Sequence, residues 1–141
     1  MTPQILPIQQ NAQNQTNTLK SKKEHVQSES ELRKLTKKIK SHPTLTPLRK
    51  KTYLLLLSVP AGQWTTYAAL AKHLGSSARA VGTAMRCNPF APGVPCHRVL
   101  SADRGLGGYM GSRKRRMLEE EGVRFDERGR ALGRVFVEFT L

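Results

Sequence analysis

The chain has 141 residues, with 24 Lys and Arg against 10 Asp and Glu, a formal charge of +14. That length holds one apolar core able to fold without disulfides or metals, and the charge favours a polyanionic partner, nucleic acid before membrane. Two cysteines, Cys87 and Cys96, exclude a disulfide scaffold and lack the C-x-x-C spacing of structural zinc; Leu54–Leu57, the longest apolar stretch, is far too short to span a bilayer.

Residues 1–45 are rich in Gln, Asn, Ser, Thr and Lys and contain no aromatic residue. Such a composition does not bury enough apolar surface to offset the entropy of ordering it, so a disordered basic arm is expected there, followed by a globular domain over 46–141. The charge is not confined to the arm: residues 1–46 hold 8 basic and 3 acidic side chains, residues 47–141 hold 16 and 7. No secretory signal pattern opens the chain. A reducing, intracellular location is expected, and the tracts Lys20–Lys23 and Arg33–Lys40 read as weak nuclear-import signals.

Order is predicted to start at Thr46-Pro47, a favoured N-cap followed by a proline tolerated in the first helical turn. Leu48, Leu55, Leu56 and Val59 then share a helical face, and Pro60-Ala61-Gly62 ends it. Gln63-Trp64-Thr65 forms a β-like link, and Thr66 caps a second helix over Tyr67–Leu74, closed by Gly75 at the C-cap. Ser76-Ser77 turns the chain into a third helix over Ala78–Arg86, which stops near Asn88-Pro89. Two short helices joined by Gly-Ser-Ser have helix-turn-helix spacing. The small residues Ala78, Ala80, Gly82 and Thr83 leave Arg79 as the only long side chain in the first turn of the third helix; such a surface admits close approach to a groove, or equally to another helix.

Pro95 argues against a central strand around Cys96. Gly105 to Gly111 is a loop able to bring backbone close to a ligand. A helix over Ser112–Glu121 follows, basic at its start and acidic at its end; that order opposes the helix dipole and suggests charges kept for partners. Gly122 ends it. The tail has a turn at Asp126–Gly129, and alternation at Val135, Val137 and Phe139 predicts a short strand.

Cys96 and His97 are adjacent, between Pro95 and Arg98. A catalytic cysteine acts as thiolate, while an unperturbed thiol is mostly protonated at neutral pH. His97 and Arg98 both supply neighbours that favour the thiolate, although a Cys-His pair by itself is more often structural.

Pro95-Cys96-His97-Arg98-Val99 resembles the active-site signature of the methylated-DNA–protein-cysteine methyltransferases, the O6-alkylguanine-DNA alkyltransferases. Val59-Pro60-Ala61-Gly62 and Thr66-Tyr67 with Leu70-Ala71 look like that family's entry into its helix-turn-helix. Ala78–Gly82 with Ala84-Met85-Arg86 and Asn88-Pro89 resembles its recognition helix and hinge, Gly107-Gly108-Tyr109 its substrate loop, and Leu118 to Gly122 its closing helix. These pieces stand in family order over residues 47–122.

The resemblance implies the following roles. Cys96 is the nucleophile and permanent alkyl acceptor in a single-turnover repair reaction on O6-alkylguanine in double-stranded DNA. His97 is a base acting through a bridging water, oriented by Glu121 or by its neighbour Glu120. Asn88 holds the turn before the site, and Tyr67 donates a proton to the departing guanine. Arg79 fills the gap left by a flipped base, while Ala78, Ala80, Gly82 and Thr83 lie in the minor groove. The Cys96 and Val99 carbonyls accept from the guanine amino group, and Tyr109 walls a pocket that Met110 borders. It implies action as a monomer in the nucleus, with no cofactor and no membrane partner. Some members carry an N-terminal domain with a metal site; a basic arm stands there in this chain, so no metal is expected. Met110 occupies a position where a small polar residue is common, and the segment from Tyr109 to Glu121 is shorter than in better-known members.

The fold expected is mostly α (α+β), a winged-helix-like DNA-binding domain with a helix-turn-helix behind the disordered basic arm. Two other functions compete. One is a non-enzymatic lesion binder resembling the alkyltransferase-like group, in which tryptophan typically replaces the nucleophile. The other is a helix-turn-helix regulator in which Cys96 is incidental. Cys87 has no assigned role.

Overall fold

The computed structural model describes residues 28–107 and 112–141 and is mostly α-helical, with one two-stranded sheet. The first helix among the described residues, α1, spans Glu29–Ser41. Its N-cap Ser28 accepts from the Glu31 N–H (3.2 Å), Glu29 and Glu31 lie in the first turn, and Lys38 and Lys40 lie in the last, all matching the helix dipole. This corrects the expected arm over its last third. The arm's average composition hides Leu32, Leu35 and Ile39 at i, i+3 and i+7, one stripe of a helix, and Ile39 is wholly buried in the core with Leu35 packed beside it. The rest of the expected arm, residues 1–27, lies outside the described residues.

Helix α2, Pro47–Leu56, starts where Thr46 Oγ1 accepts from the Arg49 N–H (3.2 Å). Tyr53, Leu55, Leu56 and the following Val59 are buried, but Leu48 is 39% exposed, contrary to the face expected from spacing. Leu48 lies in the first turn, where its backbone carbonyl takes the Thr52 hydroxyl at 2.7 Å. Strand β1 is only Thr65–Thr66 and pairs in parallel with β2, Val99–Leu100, with Thr65 opposite Val99.

Helix α3, Tyr67–Leu74, is capped by Thr66, and α4, Ala78–Arg86, by Ser77. Gly75 between them takes the left-handed conformation (φ +66°), in which its N–H reaches the Lys72 carbonyl while that of Ser76 reaches Ala71. Leu70 and Ala71 of α3 meet Val81, Ala84 and Met85 of α4 in the main core, and Tyr53 of α2 donates its hydroxyl to the Ala84 carbonyl at 2.7 Å. A turn of 3₁₀ helix, Cys96–Arg98, leads into β2, and α5 spans Ser112–Glu120.

A second cluster, Trp64, Leu100, Leu118, Val123 and Ala131, lies beyond β2. Cys96 belongs to the first cluster and Leu100 to the second, so the short run between them lies where the two cores meet. The turn at Asp126–Gly129 forms, closed by a bridge between Phe125 and Ala131. No strand forms over the alternating tail residues; Val135 makes one isolated bridge to Trp64, Val137 is 61% exposed and Phe139 is buried. The tail is held instead by Trp64, whose indole N–H donates to Leu132 O (2.9 Å), and by the Thr65 hydroxyl on Phe136 O (2.7 Å). With only a two-residue strand to follow, it has no ladder to extend.

Candidate active site

The proline before Cys96 and the 3₁₀ turn that follows bring three successive side chains inward: Cys96, His97 and Arg98 are all buried. A buried His and Arg require partners, because an unpaired charge costs several kcal/mol in a low-dielectric interior. Glu121, just past the last turn of α5, supplies them. His97 Nε2 lies 3.0 Å from Glu121 Oε2, and Arg98 donates through Nε to Oε1 (2.9 Å) and through Nη2 to Oε2 (2.6 Å). The third guanidinium nitrogen, Nη1, donates to the carbonyl of Val59 at 2.9 Å. Burial acts to raise the Glu121 carboxyl, but the hydrogen bonds and charges of His97 and Arg98 outweigh it and hold the group at about 2.

The Pro60–Gly62 turn packs against the main chain of the same residue, Glu121. Gly62 has φ +89°, and a Cβ there would stand 3.1 Å from the backbone carbonyl of Glu121, so both conformation and space require glycine. Val59 O on Arg98 and Gly62 against the Glu121 main chain thus bring residues 39 or more positions apart in sequence onto the two partners of one ion pair.

With the Glu121 carboxylate ionised, the hydrogen bond at Nε2 favours the tautomer bearing its proton there, which puts the neutral imidazole's lone pair on Nδ1. That nitrogen is the basic one, on the residue next to the thiol. Glu120 is exposed and Glu121 is buried, so of the two glutamates it is Glu121 that meets His97.

Lys114 was not singled out from sequence. It stands among Arg113, Arg115 and Arg116 in a run that reads as a solvated basic face, yet it is fully buried. Its Nζ donates to the Tyr67 hydroxyl (3.3 Å) and to Leu106 O (3.2 Å), and sits 5.4 Å from the centre of the Tyr67 ring. Burial pulls the Lys114 ammonium down to about 8, against the charge of Cys96, which raises it. Tyr67 is pushed up by burial first and by Cys96 second, which keeps the phenol protonated. Cys96, Tyr67 and Lys114 are thus close enough to feel each other's charge. The only signal that could have marked Lys114 is its i, i+4, i+7 spacing with Leu118 and Glu121, which puts all three on the buried face of α5. The basic start of α5 is therefore not a uniformly solvated face: Lys114 is internal, and Arg115 pairs with Glu119 and lies over the Phe125 ring.

Arg98 also has a task other than the one read from its neighbours, since its guanidinium clamps Glu121. Asn88 spans the loop before the site, donating from Nδ2 to Val94 O (2.9 Å) and accepting at Oδ1 from Phe90 N–H (2.9 Å). Val99 is buried in β2, and its N–H donates to the Cys96 carbonyl. Tyr109 and Met110 lie outside the described residues. Cys87 is an exposed thiol at the end of α4.

Away from the thiol, α4 presents Arg79, Gly82, Thr83 and Arg86 at i, i+3, i+4 and i+7, opposite the buried Val81, Ala84 and Met85. Ala78 and Arg79 are exposed, and Ala80, Gly82 and Thr83 are half-buried. The Thr83 hydroxyl donates to Arg79 O (3.1 Å) and accepts from Arg86 Nη2 (3.2 Å). The result is a narrow face of small side chains with an arginine at each end.

Comparison with known proteins gives this arrangement a context. Residues 47–123 match the family model for the 6-O-methylguanine DNA methyltransferase, DNA binding domain. A methylated-DNA–protein-cysteine methyltransferase of Thermococcus sibiricus is 49% identical over 82 residues, covering 56% of this chain and 46% of that protein. The crystal structure of Mycobacterium tuberculosis OGT in complex with DNA is similar with a TM-score of 0.52 and 42% identity, over 55% of this chain and 50% of that one. That of S. pombe Atl1 in complex with damaged DNA containing O6-carboxymethylguanine is similar with a TM-score of 0.50 and 28% identity, over 60% of this chain and 85% of that one. The chain spans about half the length of the curated relatives it matches.

Proposed function

The chain belongs to the family of the 6-O-methylguanine DNA methyltransferase DNA-binding domain, and from this we propose that it repairs DNA by transferring an alkyl group, such as methyl, from guanine O6 to its own Cys96. The observation that carries the reading is the buried run from Arg98 through Glu121 to His97, which fixes the imidazole of the residue that follows Cys96. A structural cysteine needs no such arrangement.

His97 takes the Cys96 proton through a water, and Glu121 stabilises the imidazolium that forms. The thiolate sulfur attacks the alkyl carbon; the S–C bond forms as the C–O6 bond breaks, and the electron pair stays on the guanine. Tyr67 gives that base a proton. Because Lys114 donates to the phenolic oxygen, the phenol's own hydrogen is directed elsewhere, and the ammonium offsets the phenolate charge as it develops. The product is a thioether that no group in the site hydrolyses, so each molecule acts once.

Cys96 is 2% exposed, so a guanine stacked in a duplex would have to rotate out to reach it, at a cost of a few kcal/mol. Helices α3 and α4 would act as a helix-turn-helix. The α4 face of Arg79, Gly82 and Thr83, with Ala78 and Ala80, would lie in the minor groove, Arg79 stacking in the space the base leaves. The relatives' names support DNA as partner; its double-stranded form, the O6-alkylguanine lesion, action as a monomer and a nuclear site of action belong to this proposal. Similarity to Atl1 over most of that protein's length favours one second reading, lesion binding without transfer.

The test is to incubate the protein with a duplex holding one O6-methylguanine and measure intact and peptide masses, with Cys96→Ala as control. One methyl gained per molecule on the Cys96 peptide, absent in the variant, establishes transfer. Tight lesion binding with no mass change establishes the second reading.

A further inference from the structure

Helix α1 lies before the matched family region and has no part in the site, yet it carries Arg33, Lys34, Lys37, Lys38 and Lys40, all exposed. It is also fixed in place. Ile39 is buried, Lys50 Nζ donates to Lys40 O (2.8 Å), and the His42 ring just past its end meets the Phe90 ring edge-on at 5.8 Å. Its lysines therefore have a set position relative to the rest of the fold.

Two of them face a particular neighbour. Lys34 and Lys38, with Glu31 and Leu35, line one wall of a groove whose other wall is Pro89, Phe90, Ala91 and Gly93. That second wall is the chain leaving α4, so the groove opens beside the Arg86 end of the proposed DNA-reading face. Lys34 and Lys38 stand one helical turn apart, about 6 Å along the axis. Arg33 and Lys37 line a different groove, with Leu32, Thr36, Lys40 and Ser41.

We propose that α1 is a second DNA-binding element, in which Lys34 and Lys38 hold the phosphate backbone where the duplex passes the C-terminal end of α4. This rests on the reading of α4 as the DNA-facing helix. A duplex extending past Arg86 meets these two ammonium groups, and Glu31 at the end of the groove leaves it net positive. Such contacts carry no sequence information; they lengthen the footprint and fix how the duplex crosses the protein. They would strengthen binding to intact and damaged DNA alike, which suits a protein that must search undamaged duplex for a rare lesion.

The two wall pairs allow a charge-matched experiment on the full chain. Binding to a fluorescent duplex, with and without O6-methylguanine, is measured from low to moderate salt for wild type, Lys34→Ala/Lys38→Ala and Arg33→Ala/Lys37→Ala. Each double variant removes two positive charges, and circular dichroism melting reports whether each is folded. With each neutralised phosphate contributing about 0.9 to the slope of log K against log salt, the Lys34/Lys38 variant should lose about 1.8 from that slope, on both duplexes, and the Arg33/Lys37 variant far less. Equal losses for the two pairs, or no loss in the first, overturn the proposal. The wild-type arm separates this from failure of the parent reading: if wild type binds duplex and gains a methyl on Cys96 while the lysine pair is silent, only the role of α1 falls. If wild type binds no DNA, both fall.

Discussion

Replacing Glu121 with glutamine removes a charge from the centre of the site and leaves its shape. Of the two oxygens that accept from His97 Nε2 (3.0 Å) and from Arg98 Nε and Nη2 (2.9 and 2.6 Å), one becomes an amide NH2, which cannot accept from them. In the wild type, burial would raise the carboxyl, but His97 and Arg98 bring it from 4.5 to about 2. The folded state therefore binds this proton less tightly than the unfolded chain, so the stabilisation is complete above about pH 4.5 and is lost as pH falls towards 2. At roughly 1.36 kcal/mol per pKa unit the linkage is on the order of 3 kcal/mol, in line with the ~3–5 kcal/mol cost of breaking a buried ion pair on one side. Urea unfolding at pH 7 should show Glu121→Gln less stable by about 3 kcal/mol, and the gap between variant and wild type should close as pH falls through that window. A gap that stays constant from neutral to strongly acidic pH would refute the argument, because Glu121 would then act through packing and not charge. Alkyl transfer in the variant should slow by roughly 100-fold or more, the usual effect of losing an oriented general base.

At neutral pH Lys114 acts in the opposite direction to Glu121, because there its buried charge costs stability. Burial lowers it from 10.5 to about 8, so the folded state favours the neutral amine and stability rises as pH climbs between those values. Lys114→Met should abolish that rise and stabilise the protein at pH 7 by about 1–2 kcal/mol, the linkage less the hydrogen bonds lost, while slowing transfer; a variant both less stable and fully active would contradict the reading. Gly62→Ala places a side chain at φ +89° and 3.1 Å from Glu121 O, and thermal unfolding should show a loss of about 1–3 kcal/mol. An unchanged melting temperature would mean that the Pro60–Gly62 turn does not pack tightly against the Glu121 main chain. Arg79→Ala should slow repair in duplex DNA far more than reaction with free O6-benzylguanine, since only the duplex needs a nucleotide rotated out; equal slowing on both would remove Arg79 from that role.

The local elements could be read from the sequence because the interactions that set them are local. Thr46, Thr66 and Ser77 each cap a helix by accepting the N–H three residues on, and Gly75 ends α3 through its left-handed backbone. Each depends on six or fewer consecutive residues. Cys96 and His97 are adjacent, so the pairing of a thiol with an imidazole was also visible, and the motif order along residues 47–122 pointed to Glu121 and Asn88. What the sequence left unsettled lies across longer separations. Whether Glu120 or Glu121 meets His97 depends on how α5 is rotated against the 3₁₀ turn, a packing outcome of Leu118 and Lys114 facing inward.

The same cause explains the corrections. The composition of residues 29–41 is that of a disordered segment, and Ile39 becomes a core residue only because α2 provides a surface to cover it. The tail alternates like a strand but finds a partner strand two residues long. Lys114 looks like its basic neighbours, and only the meeting of α5 with Tyr67 and the Leu106 carbonyl turns it into a buried proton donor. Sequence by itself determined helices α2 to α5, the caps of α2, α3 and α4 and the adjacency of Cys96 and His97, since hydrogen bonds and apolar periodicity act within a few residues. Tertiary structure alone decided which charges are inside, because the cost of burying a charge depends on every group that surrounds it.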